Sequence, residues 1–491
     1  MLVIGASFLL GLLLPLGFAP FGFWWLLPPL IAAYAALWIG KPARSAFWTG
    51  FAFGGGGFLA GTYWLYHSIH TIGQAPVVLA LFLMLGLVAI MALYFGACAV
   101  LVNRLSAASR PLAIALLPGV FVLLEWLRGW VLSGFPWLSL GYSLPETLLA
   151  GWLPVGGVYL GTLVLCVASS ALLGIAAGGR QRLVAISALL VIAVISVALH
   201  DRQWVRIEPR ELSAHIGQLG LDQSLKWSDE QFLNTLQWYG QFVAAHRGAD
   251  ILLMPEVALP TVADQIEDYL VQISEIANSA NSDLLLGILR RDDQGKVANA
   301  LLVAADGERQ WYEKRHLVPF GEYFPVPAFI REWMRLRGLP FSDLKSGADK
   351  QSPLLVSGLP IASSICYEDA YGSEQLAFFP DARFIVNVSN DAWFGDSIAP
   401  HQHLQIARAR SAESQRWQLR ATNTGITAII DDRGRVTNAA PSFEPAVLSG
   451  TVRAASGHTP YTRTGNWPAL LIALALCAAL SLLSYRLRSR K

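Results

Sequence analysis

The chain has 491 residues, of which 54% are hydrophobic and only 14% are charged, whereas about a quarter of an average soluble domain is charged. This composition excludes a purely soluble enzyme, a disordered protein and a small disulfide scaffold. The formal net charge of +2, without a basic run outside short loops, argues against a nucleic-acid partner. Residues 1–200 hold only nine of the 36 basic and 34 acidic side chains. This part therefore has the composition of a membrane sequence, whereas most of the remaining chain has that of a globular domain.

The apolar segments predict eight spanning helices, because a helix needs about 20 mostly apolar residues to cross a bilayer. The first segment lacks a basic n-region and is followed almost at once by more hydrophobic sequence, so we expect a retained span rather than a signal peptide. The predicted spans are residues 2–18, 22–39, 46–68, 77–102, 111–131, 153–178, 183–200 and 468–485.

Basic residues occur in alternate loops, as the positive-inside rule requires of a multi-pass protein. The pattern predicts a protein of the cytoplasmic (inner) membrane with both termini in the cytoplasm. It divides the chain into a membrane domain with seven spans (1–200), a periplasmic domain (201–466), and an eighth span with a basic tail (467–491). The loops 19–21, 69–76 and 132–152 lack Lys and Arg, and the basic residues of the other loops and the tail are Lys41, Arg44, Arg104, Arg110, Arg180, Arg182, Arg486, Arg488, Arg490 and Lys491.

Residues 201–466 alternate short β-rich runs with more polar helical stretches. This order predicts a layered α/β domain of roughly 250 residues, and no repeat array is evident. The predicted strands are 251–255, 284–289, 300–304, 360–366, 384–388 and 426–430, and the predicted helices are 228–247, 261–280 and 401–418.

Cys366 is the one cysteine of four that lies outside the apolar segments, so it cannot form an internal disulfide within the periplasmic domain. It is either a small buried core residue or a nucleophile, which needs a base and a group that stabilises the developing oxyanion. His401 and His403 are candidate bases or metal ligands, but no cysteine pair or carboxylate cluster completes a metal site. The sequence also lacks a Gly-rich nucleotide-binding loop, so it predicts neither a metal nor a cofactor.

A more complete set of reactive groups lies at strand ends. Glu256 ends the apolar run Ile-Leu-Leu-Met-Pro-Glu, Lys314 precedes a loop rich in Pro and Gly, and Cys366 follows another apolar run. We expect these three side chains to converge on one edge of a sheet.

The same three positions resemble the Glu–Lys–Cys triad of the nitrilase superfamily, with Lys314 in Glu-Lys-x-x-Leu-Val-Pro-Phe-Gly-Glu and Cys366 in Ile-Cys-Tyr-Glu. The resemblance implies an αββα sandwich for the periplasmic domain. Together with the spans and the motifs at 125–129, 134–137 and 387–395, the chain resembles the bacterial apolipoprotein N-acyltransferases, a membrane-embedded family of that superfamily, over essentially its whole length.

This resemblance implies a two-step acyl transfer without a cofactor. Cys366 would take an acyl chain from a phospholipid, the sn-1 chain of phosphatidylethanolamine, as a thioester. The α-amine of a diacylglyceryl apolipoprotein would then accept it. Glu256 would act as the general base and acid, and Lys314 would stabilise the oxyanion. We expect the protein to be monomeric.

Further positions are expected to support the site. The resemblance implies that Glu322 orients Lys314, that Glu368 and Tyr367 shape the pocket beside the thiol, and that Trp227 lies near it. For each of these the alternative is an ordinary surface or packing role.

Two segments are candidate lids or lipid contacts. Residues 319–344 are rich in aromatics and prolines, including Phe324 and Trp333, which is typical of an arm at the headgroup layer; the alternative is that they fill the α/β core. Trp393 and Phe394, which precede Gly395, are candidates to cap the acyl chain.

Two other functions stay open. A membrane-tethered amidase of the nitrilase type would use the same triad with water as the acceptor. A lipid transporter with an inactive outer domain belongs to a different class, but it would be expected to show internal repeats and ionisable groups at the bilayer midplane.

Overall fold

The computed structural model describes residues 1–107, 109–323, 329, 332 and 343–489 of the chain. Each of the eight predicted apolar segments contains a helix, and five of these in the described residues are long and apolar enough to cross a membrane. The predicted count of eight spans is therefore not confirmed. The eight helices are α1 (Leu2–Gly11), α2 (Leu27–Trp38), α3 (Ala43–Gly61), α4 (Val77–Leu105), α5 (Arg110–Arg128), α6 (Leu153–Ala177), α7 (Gly179–His200) and, at the C terminus, α11 (Trp467–Ser489).

The three helices that fall short of a full span are α1, α2 and α3. Helix α1 ends at Gly11, where a 3₁₀ turn with Pro15 follows, and α2 begins only after Trp24–Leu26. Helix α3 has 19 residues, but its glycine, serine and threonine residues lower its mean hydropathy.

Glycines in α3 allow its neighbours to approach closely. A Cβ at Gly50 would lie 2.5 Å from the carbonyl oxygen of Phe95, and a Cβ at Gly56 would lie 2.2 Å from that of Phe8. Close backbone contact of this kind is the usual role of small residues between membrane helices. Within the run 54–57, Gly54, Gly56 and Gly57 therefore allow close packing, whereas Gly55 faces open space.

The remaining part of the described chain forms two six-stranded sheets. The strands are β1 (Arg206–Gln218), β2 (Ile251–Met254), β3 (Asp283–Arg291), β4 (Val297–Ala305), β5 (Glu308–Glu313), β6 (Leu354–Val356), β7 (Leu359–Ile365), β8 (Phe384–Ser389), β9 (Gln418–Thr422), β10 (Ala428–Ile430), β11 (Val436–Ala439) and β12 (Ala446–Ser456). The first sheet has the order β12-β1-β2-β3-β4-β5 and the second the order β11-β10-β9-β8-β7-β6.

The two sheets pack face to face around one apolar core, to which Ile216, Leu253 and Leu285 contribute from the first sheet and Ile361 and Val386 from the second. Helices α8 (Asp229–His246) and α9 (Glu267–Asn278) cover the outer face of the first sheet. Helix α10 (Ala399–Ser414) covers the second sheet and also packs against the membrane helices. The layers are therefore helix, sheet, sheet and helix, which confirms the expected αββα sandwich.

Candidate active site

Three reactive side chains lie where strands end. Glu256 lies two residues after the end of β2, Lys314 directly follows β5, and Cys366 directly follows β7. Strands β2 and β5 belong to the first sheet, whereas β7 belongs to the second. The expectation of a single sheet edge is therefore wrong, because face-to-face packing brings the ends of strands from both sheets to one place.

A buried cluster of charges surrounds Lys314. Its side chain is 1% exposed, and its ammonium lies 2.9 Å from Glu322 Oε1 and 3.4 Å from Glu256 Oε1. Burial disfavours the charged form, but the negative charges of Glu322 and Glu256 outweigh it and raise the pKa of Lys314. The lysine therefore stays cationic at neutral pH.

Asn299, near the start of β4, fixes both carboxylates. Its Nδ2 donates to Glu256 Oε1 at 2.6 Å and to Glu322 Oε1 at 3.1 Å. Its backbone carbonyl oxygen accepts from the backbone N–H of Lys314 at 2.8 Å. Sequence reasoning missed this residue, although an asparagine inside the apolar strand Val-Ala-Asn-Ala-Leu-Leu-Val is itself a signal, because a buried amide needs partners.

Cys366 forms a strained elbow between β7 and a 3₁₀ turn. Its φ of +53° places it in the left-handed region, which is uncommon for a residue with a Cβ. Burial and the nearby carboxylate of Glu256 raise the pKa of the thiol, and the opposing charge of Lys314 does not cancel this effect. The sulfur therefore carries its proton at neutral pH and requires a base before it can act as a nucleophile.

Glu368 joins the cysteine elbow to the lysine loop. Its carboxylate accepts from the backbone N–H groups of Ile365 and Arg315 at 2.7 Å each, and from that of His316 at 3.2 Å. Tyr312 donates its hydroxyl to the same carboxylate. Glu368 is thus a buried clamp between the segments that carry Cys366 and Lys314, which is more specific than the pocket role expected from the sequence.

A second buried polar network lies behind the nucleophile. His403 on α10 places Nε2 3.2 Å from the carbonyl oxygen of Cys366 and Nδ1 2.8 Å from Asp391 Oδ1. Arg420 holds the other oxygen of Asp391 at 3.0 Å. Sequence reasoning considered His403 as a base or a metal ligand; in the structure it contacts the backbone of Cys366. His401, two residues earlier, is exposed.

Lys226 and Trp227 lie beside the Glu256 segment. The buried Lys226 ammonium donates to the carbonyl oxygen of Glu256 at 3.3 Å, and burial lowers the pKa of Lys226 to about 8 in spite of the Glu256 charge. Trp227, by contrast, is 56% exposed. Lys226 is a further residue that sequence reasoning missed.

Tyr367, Trp393 and Phe394 contact the membrane part, which comprises helices α1–α7 with their connecting segments and helix α11. Tyr367 is buried and donates its hydroxyl to the carbonyl oxygen of Gly134. The ring of Phe394 packs on Trp64 at a centroid distance of 4.7 Å, and the carbonyl of Trp393 accepts from Ser68 Oγ at 2.7 Å. Phe324 and Trp333 lie outside the described residues.

The arrangement is suited to covalent acyl transfer. A thiol, a carboxylate and a fixed ammonium share one site, and they supply the nucleophile, the proton acceptor and the oxyanion partner that such chemistry needs. Among the residues that the structure describes, no three His, Cys, Asp or Glu side chains lie together in a way that would hold a metal ion.

Comparisons with known proteins cover nearly the whole chain. The family described as apolipoprotein N-acyltransferase N-terminal domain matches residues 10–171, and the family described as carbon-nitrogen hydrolase matches residues 215–461. The apolipoprotein N-acyltransferase of Chromobacterium violaceum is 38% identical over 489 residues, which cover 99% of this chain and 94% of that protein.

The chain is also similar to a second apolipoprotein N-acyltransferase and, over part of its length, to a solved structure. The apolipoprotein N-acyltransferase of Nitrosomonas europaea is 38% identical over 471 residues, which cover 94% of this chain and 93% of that protein. Among solved structures, Nit3 of Saccharomyces cerevisiae, a member of the nitrilase superfamily, covers 50% of this chain and 90% of its own with 16% identity and a TM-score of 0.37.

Proposed function

Because the chain belongs to the apolipoprotein N-acyltransferase family, we propose that it transfers an acyl chain from a membrane phospholipid to an apolipoprotein. The donor is the sn-1 ester of phosphatidylethanolamine, and the acceptor is the α-amine of an N-terminal S-diacylglyceryl-cysteine. The product is the triacylated lipoprotein, which completes lipoprotein maturation. The observation that carries this proposal is the fully buried Lys314 held between Glu256 and Glu322 beside the thiol of Cys366.

In the first step, Cys366 Sγ attacks the ester carbonyl carbon while Glu256 accepts the thiol proton. The ammonium of Lys314 stabilises the oxyanion of the tetrahedral intermediate. The carbon–oxygen bond then breaks, and Glu256 returns the proton to the departing alkoxide. A thioester on Cys366 and a lysophospholipid result.

In the second step, the acceptor amine attacks the thioester carbonyl. Glu256 takes a proton from the amine, Lys314 again stabilises the oxyanion, and the carbon–sulfur bond breaks. Glu256 returns the proton to the released sulfur, and the acyl chain is now bound to the acceptor as an amide. Splitting ester-to-amide transfer into two steps is favourable because a thioester reacts readily with amines.

The supporting residues act on the position of these groups. In this proposal, Glu322 and Asn299 orient Lys314 and Glu256, while Glu368 and Tyr367 hold the segment of Cys366. Trp227 is proposed to contact substrate because it is exposed and directly follows Lys226, which contacts Glu256. Phe324, Trp333, Trp393 and Phe394 remain candidate lid or lipid contacts.

The membrane part is proposed to give the site access to both lipidated substrates. Exposing an acyl chain to water costs about 0.8 kcal/mol per CH₂, so a site open to the bilayer avoids this cost. We divide the chain into residues 1–200, 201–466 and 467–491 and place both termini in the cytoplasm and the middle segment in the periplasm. This topology requires the short helices α1 and α2 and the glycine-rich α3 to cross the membrane together with the five long helices. We further propose that the protein acts as a monomer without a cofactor.

The acceptor distinguishes this function from that of an amidase. We expect the purified chain, given phosphatidylethanolamine and a synthetic diacylated lipopeptide, to add one acyl chain to the free α-amine. The same lipopeptide with an acetylated α-amine should gain none, because it lacks the nucleophile. Mass spectrometry of the lipopeptide measures both.

The water-accepting alternative gives a different result. If fatty acid is released at the same rate with the free lipopeptide, with the acetylated lipopeptide and with neither, water is the acceptor and the proposal fails. Hydrolysis of small amides by the same preparation would then identify an amidase.

A further inference from the structure

Side chains from the segments that carry Cys366, Lys314 and Glu322 converge on one turn of the membrane part. This Ser133–Gly134 turn lies between α5 and α6. Every contact is a hydrogen bond that a side chain of the α/β part donates to an oxygen of the turn. The donors are Tyr367 and Tyr371 after Cys366, His316 after Lys314, and Tyr323 next to Glu322.

The contacts are of ordinary hydrogen-bond length. The hydroxyl of Tyr371 lies 3.0 Å from the carbonyl oxygens of both Ser133 and Gly134, and that of Tyr367 lies 3.2 Å from the carbonyl oxygen of Gly134. Nε2 of His316 lies 3.1 Å from the carbonyl oxygen of Ser133, and the hydroxyl of Tyr323 lies 3.2 Å from Ser133 Oγ.

The backbone of the turn is strained and closely packed. Leu132 and Ser133 both have positive φ values, +56° and +72°, which cost energy for residues with a Cβ and persist only when the surroundings enforce them. Gly134, at φ +77°, has no room for a side chain, because a Cβ there would lie 2.1 Å from the carbonyl oxygen of Gly129.

A buried arginine enforces this shape from the end of α5. Arg128 Nη1 donates to the carbonyl oxygens of Phe135 and Trp137 at 2.7 and 2.6 Å. Glu125, which pairs with Arg128 at 3.8 Å, accepts from the backbone N–H of Leu140 at 2.9 Å. The turn is therefore fixed relative to the spanning helix.

We infer that the Ser133–Gly134 turn is a positioning element of the active site. It aligns the segments of Cys366, Lys314 and Glu322 by accepting their hydrogen bonds, and its own atoms do not react. The membrane part thus sets the geometry of catalysis as well as the location of the enzyme. This inference rests on the proposed acyl transfer.

The test is a double-mutant cycle on the rate of acyl-enzyme formation with phosphatidylethanolamine. We expect Tyr371→Phe to lower this rate about tenfold and Gly134→Ala to lower it about a hundredfold, since an added Cβ must move the turn. In the Gly134→Ala background, Tyr371→Phe should cost less than twofold, because its acceptors have already moved.

Matched controls make the same two kinds of substitution, tyrosine to phenylalanine and glycine to alanine, away from the site. Tyr269→Phe deletes a hydroxyl that donates to the carbonyl oxygen of Leu236 at 2.7 Å, away from the site. Gly40→Ala alters a glycine at φ +79° with open space around it. Both should leave the rate within twofold of the unmodified chain.

Ser133→Gly keeps the test decisive if Gly134→Ala does not fold. Glycine tolerates φ +72° better than serine, so stability should not fall, yet the rate should fall because the turn loosens and Tyr323 loses its acceptor. If the rate loss of the double variant Tyr371→Phe/Gly134→Ala equals the product of the two single losses, the inference is overturned. Full activity in Gly134→Ala and Ser133→Gly would also overturn it. Absence of any thioester in the unmodified chain would instead refute the proposed function.

Discussion

Glu256→Gln is expected to lower acyl-enzyme formation at pH 7 by about a thousandfold, within the usual contribution of a general base. The amide keeps the shape of the side chain but cannot accept the thiol proton. Since burial raises the pKa of Cys366, the variant has little thiolate at pH 7. Its residual rate should increase about tenfold per pH unit between pH 7 and 9, because hydroxide then ionises the thiol directly.

The unmodified chain should show a much shallower rise over the same pH range, since its carboxylate removes the proton. Glu267→Gln is the matched control, because Glu267 is a half-exposed carboxylate paired with Arg309 at 2.7 Å outside the site. A flat pH profile in Glu256→Gln, or a loss below tenfold at pH 7, would show that another group is the base.

Lys314→Met is expected to affect both catalysis and stability. Removing the oxyanion partner should lower acyl transfer by roughly 10²–10³-fold. The change also leaves Glu256 and Glu322 buried side by side without their cation, which is expected to reduce the free energy of unfolding by about 3–5 kcal/mol. Denaturant unfolding and a transfer assay on the same preparation measure the two effects.

The control for this variant is Lys345→Met. Lys345 pairs with Asp292 at 3.0 Å, but it is 36% exposed, so its loss should change stability by less than about 1 kcal/mol and leave transfer intact. Equal effects of the two substitutions would contradict a special role for Lys314. Unchanged stability in Lys314→Met would contradict the buried charge cluster.

The positions of Glu256 and Cys366 could be predicted because each follows a strand that is legible in the sequence, whereas β5, which precedes Lys314, is not among the predicted strands. The predicted run 251–255 corresponds to β2, and the predicted run 360–366 corresponds to β7 shifted by one residue. Short apolar runs rich in β-branched residues, bounded by Pro, Gly or polar residues, define strands locally. The residue after such a run can therefore be placed without knowledge of the tertiary fold.

The partners of these groups could not be predicted, because they are distant in the chain. His403 reaches the carbonyl of Cys366 across 37 residues, and Tyr367 reaches Gly134 across 233 residues. Only the packing of the two sheets and the membrane helices brings them together. Asn299 lies in an apolar strand, where periodicity indicates burial but not the identity of its partners.

The span count illustrates the limit of hydropathy. A window of apolar residues marks all eight helical segments, but Pro15 shortens the first helical segment and the glycines of α3 reduce its mean hydropathy. Helix length depends on local breakers that an average over a window hides.

Intact-protein mass spectrometry tests the central claim most directly. The purified chain is incubated with phosphatidylethanolamine and no acceptor, beside Cys366→Ser and the control Cys477→Ser, which alters a cysteine of α11. The account predicts one acyl-sized adduct on the unmodified chain and on Cys477→Ser, removed by hydroxylamine, and none on Cys366→Ser. An adduct that persists in Cys366→Ser, or no adduct with any phospholipid, would contradict it.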